Sequence, residues 1–120
     1  MKTAIIYGPH DVRVEDADTP EIGPHDALVQ VKASGICGSD VHRFLGTAYG
    51  RNYWTYPMNS GHEYCGDVVQ VGTAVKTFRE GDRVTLGVAW TGGDLGAFSE
   101  FIRIPDADRR LRKLPLEMSY

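Results

Sequence analysis

The sequence predicts a mainly β fold, either a small β-barrel or a partly open sandwich, with one or two short helices. Many short segments with the apolar patterning of strands support this prediction, as do the glycine and proline turns between them. Only one segment has a convincing helical pattern. The 120 residues suffice for one domain with a real core, but not for two ordinary domains. We therefore expect residues 1–120 to form a single domain.

Six segments are predicted to be strands. The clearest directs Val29 and Val31 to one face of a sheet and Gln30 and Lys32 to the other. In the second segment, Val12 and Val14 alternate with polar residues, as expected for a half-buried strand. In the fourth, Val69 and Val71 share a face, and in the fifth the strand follows a Gly81-Asp82 turn. The predicted strands span residues 1–6, 12–15, 27–33, 64–71, 84–88 and 98–104.

The helical segment follows the third strand. Ser39 is predicted to be its N-cap, and Val41, Phe44 and Leu45 form its apolar stripe. The long loop that comes next contains four aromatic residues, which either line a substrate pocket or simply pack the loop onto the sheets. These residues are Tyr49, Tyr53, Trp54 and Tyr56.

Composition excludes several classes of function. A formal net charge of −3 argues against binding to nucleic acid or to an anionic membrane, and no apolar run is long enough to span a bilayer. The basic cluster at 109–113 is interpreted as a solvated face. Cys37 and Cys65 could formally form one disulfide, but no other feature suggests secretion, so we expect a reducing, cytoplasmic environment.

Cys37, His62 and Glu63 supply a thiol, an imidazole and a carboxylate, the three kinds of ligand that catalytic zinc takes. Structural zinc sites usually use closely spaced cysteine pairs, and this chain has none. Cys37 also lies just ahead of the predicted helix, where the helix dipole favours its thiolate. Taken singly, Cys37 could be a buried apolar residue and His62 a structural histidine, but together they favour a metal site.

Three residues of the predicted helix complete this hypothesis. Ser39 and His42 lie three apart and share a face, so they could pass a proton from a metal-bound alcohol to solvent. Asp40 is predicted to accept a hydrogen bond from the ring nitrogen of His62 that does not touch the metal. The alternatives are that Ser39 is a plain helix cap and His42 an ordinary surface residue.

Two motifs resemble those of a known family. Residues 35–42 read Gly-Ile-Cys-Gly-Ser-Asp-Val-His and residues 61–66 read Gly-His-Glu-Tyr-Cys-Gly. Both are similar to the zinc signatures of the medium-chain zinc-dependent alcohol dehydrogenases, which include alcohol, sorbitol and threonine dehydrogenases. The resemblance covers the whole chain and implies a GroES-like catalytic domain that acts on an alcohol or polyol.

The resemblance also implies roles for individual residues. Cys37 and His62 correspond to zinc ligands, and Glu63 to a ligand or close neighbour of the metal. Ser39 and His42 correspond to the proton relay, and Asp40 to the carboxylate behind the histidine ligand.

Two departures from the family pattern affect the expected cofactors. The segment between Val84 and Phe98 has no cysteine, whereas many members carry a four-cysteine lobe there, so we expect one catalytic zinc and no structural zinc. The Rossmann domain that binds nicotinamide in the family has no counterpart, because the glycines at 92–96 open no helix. We therefore expect no cofactor-binding residues in this chain, NAD or NADP only in a full-length enzyme, and no turnover by the chain alone.

An alternative function belongs to a different class. The chain could be a non-catalytic GroES-like module that self-associates into a homo-oligomer or binds a partner, with its zinc residues idle. A face left uncovered by a second domain would serve such association. The intact zinc motifs favour the dehydrogenase hypothesis, since an interaction module has no need of them.

Overall fold

A computed structural model describes residues 1–48, 54–87 and 96–120 of the chain. The predicted residues Tyr49, Tyr53 and Val88 and the glycine-rich stretch at 92–95 lie outside this part. Within it, eight strands and two short helices confirm the mainly β prediction. The elements are β1 (Lys2–Gly8), β2 (Asp11–Asp16), β3 (Ala27–Gly35), α1 (Gly38–Leu45), β4 (Met58–Asn59), β5 (Glu63–Val71), β6 (Arg83–Leu86), β7 (Phe101–Ile104), α2 (Ala107–Arg110) and β8 (Leu111–Lys113).

The strands form two antiparallel sheets that are not closed into a barrel. One has three strands in the order β2-β1-β4, and the other has five in the order β7-β3-β5-β6-β8. The segment before β7 joins them, because Thr3 of β1 bridges to Ser99 and the Ala4 N–H donates to the Phe98 carbonyl at 2.8 Å. The partly open arrangement is therefore the one found.

The core lies mainly on one face of the five-stranded sheet. The neighbouring interior strands β3 and β5 contribute fully buried side chains, Val29 from β3 and Val68 from β5. Residues from the end of the chain close the core, since Ile104, Ala107 and Leu111 are also fully buried. The cluster comprises Ala27, Val29, Tyr64, Val68, Phe78, Val84, Ala97, Ile102, Ile104, Ala107 and Leu111.

A β-bulge interrupts the alternation of side chains along β5. Leu28 pairs with Gln70 and Val29 pairs with Val68, so Val69 has no partner of its own on β3. An extra residue reverses the alternation of side chains along a strand. Val68 and Val71 both contact the core, whereas Val69 is not among the described residues that pack against it.

The predicted half-burial of β2 is wrong. Among the described residues β2 pairs only with β1, at the edge of its sheet, and Val14 is 70% exposed. The basic cluster at 109–113 is not wholly a solvated face, because Leu111 pairs with Leu86 and is fully buried. Arg109, Arg112 and Lys113 on either side of it are exposed.

No helix in the described parts of the chain is long and apolar enough to cross a membrane.

Leu111→Ala should lower the free energy of unfolding by about 2–5 kcal/mol, since it leaves a cavity in the core. Leu116→Ala is the matched control, because Leu116 is 92% exposed and its loss should change little. Urea denaturation of the purified chain measures both. Equal stability of the two variants would contradict the place of Leu111 in the core.

Candidate metal centre

The pairing of β3 with β5 brings the two zinc-like motifs together. Gly35, the last residue of β3, pairs with Glu63, the first residue of β5. Cys37 lies two residues beyond the end of β3, and His62 immediately precedes β5. Residues 25 positions apart in sequence therefore meet at one end of the sheet.

The potential ligand atoms of Cys37, His62 and Glu63 all lie within 4.8 Å of one another. Cys37 and His62 are half-buried and Glu63 is exposed. Thiolate, imidazole and carboxylate ligands bind zinc at about 2.0–2.3 Å, so only small side-chain movements are needed for all three to share one ion. The donor set and its spacing therefore fit zinc.

Glycine at position 35 leaves space for the Glu63 carboxylate. A Cβ atom at this position would lie 2.7 Å from Glu63 Oε2. Gly61, next to His62, has a φ of +93°, a conformation that glycine adopts more readily than other residues. Glycine is thus favoured at two positions next to the candidate ligands, Gly35 beside Glu63 and Gly61 before His62.

Helix α1 begins at the cluster, and its cap differs from the prediction. Cys37 is the N-cap residue and Ser39 lies inside the first turn, so the prediction of Ser39 as N-cap is wrong. The reason is that the Asp40 carboxylate reaches back to accept the Cys37 N–H at 2.9 Å. The cysteine is therefore held directly at the positive end of the helix dipole.

The buried residue of α1 is Asp40, while the predicted apolar stripe of Val41, Phe44 and Leu45 is largely exposed. Asp40 Oδ1 accepts hydrogen bonds from the Ser60 hydroxyl at 2.5 Å and from the Gly61 N–H at 3.3 Å. Asp40 thereby ties the helix to the two residues that precede His62.

The hydrogen bond predicted between Asp40 and His62 is not formed. His62 Nδ1 lies 3.8 Å from Asp40 Oδ1, which is too long for a hydrogen bond. The same oxygen is already occupied by Ser60, Gly61 and the guanidinium of Arg43. The role of Asp40 behind the histidine thus stays a prediction.

Hydrogen bonding determines the charge of Asp40. Burial by itself raises the pKa of its carboxyl group. The bonds from Ser60 and from two backbone N–H groups lower this pKa, as does the nearby His62 ring, and together they bring it below its ordinary value. Asp40 is therefore a buried carboxylate at neutral pH.

The aromatic segment, residues 54–56, contacts the C-terminal half of α1, which includes His42. His42 Nδ1 shares a hydrogen bond with Thr47 Oγ1 at 2.8 Å, and Trp54 Nε1 donates to the Thr47 carbonyl at 2.8 Å. The Tyr56 hydroxyl donates to the Arg43 carbonyl at 2.5 Å. Trp54 and Tyr56 thus pack this segment onto the helix, and the relay through Ser39 and His42 stays a prediction.

Sequence reasoning missed Ser60 and Arg43, although both bind Asp40. The spacing of Arg43 three residues after Asp40 was a usable signal, since such residues share a helix face. No comparable signal exists for Ser60, which is 20 residues away.

Comparisons with known proteins all indicate the same family. Residues 23–115 match the family described as "Alcohol dehydrogenase GroES-like domain". (R,R)-butanediol dehydrogenase of Bacillus subtilis is 32% identical over an alignment that covers 100% of this chain and 42% of the relative. Sorbitol dehydrogenase of Rattus norvegicus is 43% identical, with 68% of this chain and 23% of the relative covered.

Solved structures of similar proteins indicate the same family. The 2R,3R-butanediol dehydrogenase of Bacillus subtilis superposes with a TM-score of 0.84 at 32% identity, covering 99% of this chain and 42% of the other. An alcohol dehydrogenase superfamily protein from Novosphingobium aromaticivorans gives 0.86 at 29% identity, covering 99% and 36%. The chain spans less than half the length of the curated relatives described above.

Asp40→Ala should lower the free energy of unfolding by about 3–5 kcal/mol, because it leaves a buried guanidinium and several N–H and O–H donors without their acceptor. Asp18→Ala, at an exposed aspartate, is the control and should have little effect. Urea denaturation in a metal-free buffer separates this effect from metal binding. A stable Asp40→Ala variant would show that Asp40 does not hold the segments together.

Proposed function

This chain belongs to the alcohol dehydrogenase GroES-like domain family, and on that basis we propose that it is the zinc-binding catalytic domain of an NAD(P)-dependent alcohol or polyol dehydrogenase. The observation that carries the proposal is the convergence of Cys37, His62 and Glu63 at the N-terminus of α1. The matched relatives are named for butanediol and sorbitol, which supports a small alcohol with more than one hydroxyl group as substrate.

Cys37, His62 and Glu63 are the residues that would hold the zinc ion. When bound, zinc supplies a Lewis acid that lowers the pKa of an alcohol hydroxyl. Ser39 would accept the hydroxyl proton while giving its own hydroxyl proton to His42, one turn further along α1, and His42 would release a proton to solvent. The hydrogen bond with Thr47 orients the His42 ring for this transfer. Asp40 positions the segment that carries His62.

The cofactors of the proposed enzyme are one zinc ion and NAD or NADP. The described residues contain one cluster of candidate zinc ligands, and residues 85–97 contain no cysteine, which supports one catalytic zinc and no structural zinc. NAD or NADP, the hydride acceptor, is bound by a separate domain, since the sequence has no glycine-rich turn that opens a helix. The protein lies in the cytoplasm, a reducing compartment in which Cys37 and Cys65 form no disulfide.

Metal analysis of the purified chain should find about one zinc per chain, lost in Cys37→Ser and His62→Ala and weakened in Glu63→Gln. Cys65→Ser is the control, because the Cys65 sulfur is not among the three clustered ligand atoms. Circular dichroism checks that each variant is folded. A folded wild-type chain without zinc would overturn the proposed site.

An exposed apolar face favours a second candidate, a non-catalytic module that self-associates or binds a partner. Ile36 is 74% exposed, and Val12, Val41 and Phe44 are also exposed. With Ile6 they line an open apolar groove of about 260 Å³ beside α1. Large exposed apolar patches are often interaction sites.

Size-exclusion chromatography with light scattering discriminates between the two candidates. The proposed catalytic domain should run as a zinc-loaded monomer, because nothing in the metal site requires a second copy. The control is the same chain after treatment with a chelator. A stable oligomer that persists without metal would favour the interaction module.

A further inference from the structure

Arg43 connects helix α1 to the segment that carries His62. Its side chain is only 13% exposed. Its Nη1 atom donates to Asp40 Oδ1 and to Ser60 Oγ, both at 2.9 Å. Asp40 caps Cys37, and Ser60 lies two residues before His62. One guanidinium nitrogen therefore contacts the structural supports of two candidate zinc ligands.

Arg43 also contacts the aromatic segment. The guanidinium carbon of Arg43 lies 4.9 Å from the centroid of the Trp54 ring, which is a cation–π contact. The Arg43 carbonyl accepts the hydrogen bond from the Tyr56 hydroxyl. Arg43 thus contacts the metal-ligand supports on one side and the aromatic segment on the other.

The Arg43 guanidinium neutralises the buried Asp40 carboxylate, with Nη1 2.9 Å from Oδ1. Burying a guanidinium is costly, and apolar residues that replace a whole buried ion pair often stabilise a fold equally well, but removing one partner leaves the other charge uncompensated. Arg43 Nε is also buried without a hydrogen-bond partner among the described residues, which adds to the cost. Arg43 therefore holds the buried carboxylate that in turn caps Cys37.

We propose that Arg43 is a positioning residue of the zinc site, which holds Asp40 and Ser60 in place and fixes the aromatic segment to the same helix. This inference rests on the proposed function, because it takes Cys37, His62 and Glu63 as the zinc ligands. Supports of this kind commonly change metal affinity roughly 10–100-fold when they are removed. The aromatic segment and the metal site then form one rigid unit.

Two variants test the proposal in a Trp90→Phe background, which leaves Trp54 as the remaining tryptophan. Arg43→Met keeps an unbranched, apolar side chain but removes the charge and its hydrogen-bond donors. Arg43→Lys keeps a positive charge and N–H donors on a flexible chain. Arg79→Met is the matched control, since Arg79 is 88% exposed.

Zinc affinity is measured by competition with a chromophoric chelator, and the coordination geometry by the visible absorption of the Co²⁺-substituted chain. Arg43→Met should bind zinc roughly 10–100-fold more weakly, with altered cobalt bands and a shifted Trp54 emission. Arg43→Lys and Arg79→Met should stay close to wild type in affinity. A role in packing alone would instead be rescued by Met and not by Lys.

The outcomes separate this inference from the proposed function. A folded wild-type chain that binds no zinc overturns the proposed function itself. Zinc binding by wild type with an unchanged Arg43→Met variant, or equal losses in Arg43→Met and Arg43→Lys, overturns the role of Arg43 alone. If Arg43→Met does not fold, Arg43→Lys decides: near-wild-type affinity and cobalt bands support the inference, and a large loss contradicts it.

Discussion

The antiparallel pairing of β3 with β5 is the interaction on which the rest of the structure depends. These two strands are the longest in the described part of the chain, at nine residues each, and they occupy central positions in the larger sheet. Their side chains supply the centre of the core, and their final pair, Gly35 with Glu63, places the two motifs side by side. Folding and assembly of the candidate site are thus consequences of the same set of hydrogen bonds.

A second constraint is the buried carboxylate of Asp40. The ladder brings the two motifs together, but Asp40 fixes their relative orientation by binding the backbone of Cys37 on one side and Ser60 and Gly61 on the other. Because its donors are provided by both motifs, the cost of burying its charge is offset only when both are in place. The helix, the loop and the strand therefore form a cooperative unit.

The sequence predicted the class of fold and the three residues that cluster at the candidate site, but not Ser60 and Arg43, which bind Asp40. Alternation and turn residues located most strands. The chemistry of Cys37, His62 and Glu63 made them candidate ligands, and their ligand atoms lie within 4.8 Å of one another. The features that the sequence did not predict depend on the pairing of segments that lie far apart in the sequence. The bulge at Val69 is set by the register with β3, and the burial of Leu111 by its pairing with β6. Likewise, the spacing of Asp40 and Arg43 shows that they share a helix face but not that this face is buried.

The position of the cluster at the very end of a ladder has a dynamic consequence. Terminal pairs of a sheet open more readily than central ones, so we expect Gly35 and Glu63 to separate in fluctuations that leave the core intact. A ligand that bridges Cys37 and His62 binds only the closed form and so shifts this local equilibrium toward it. Occupancy of the proposed site and fraying of the sheet end would then be coupled in both directions, and its affinity for metal would include the free energy needed to keep that end closed.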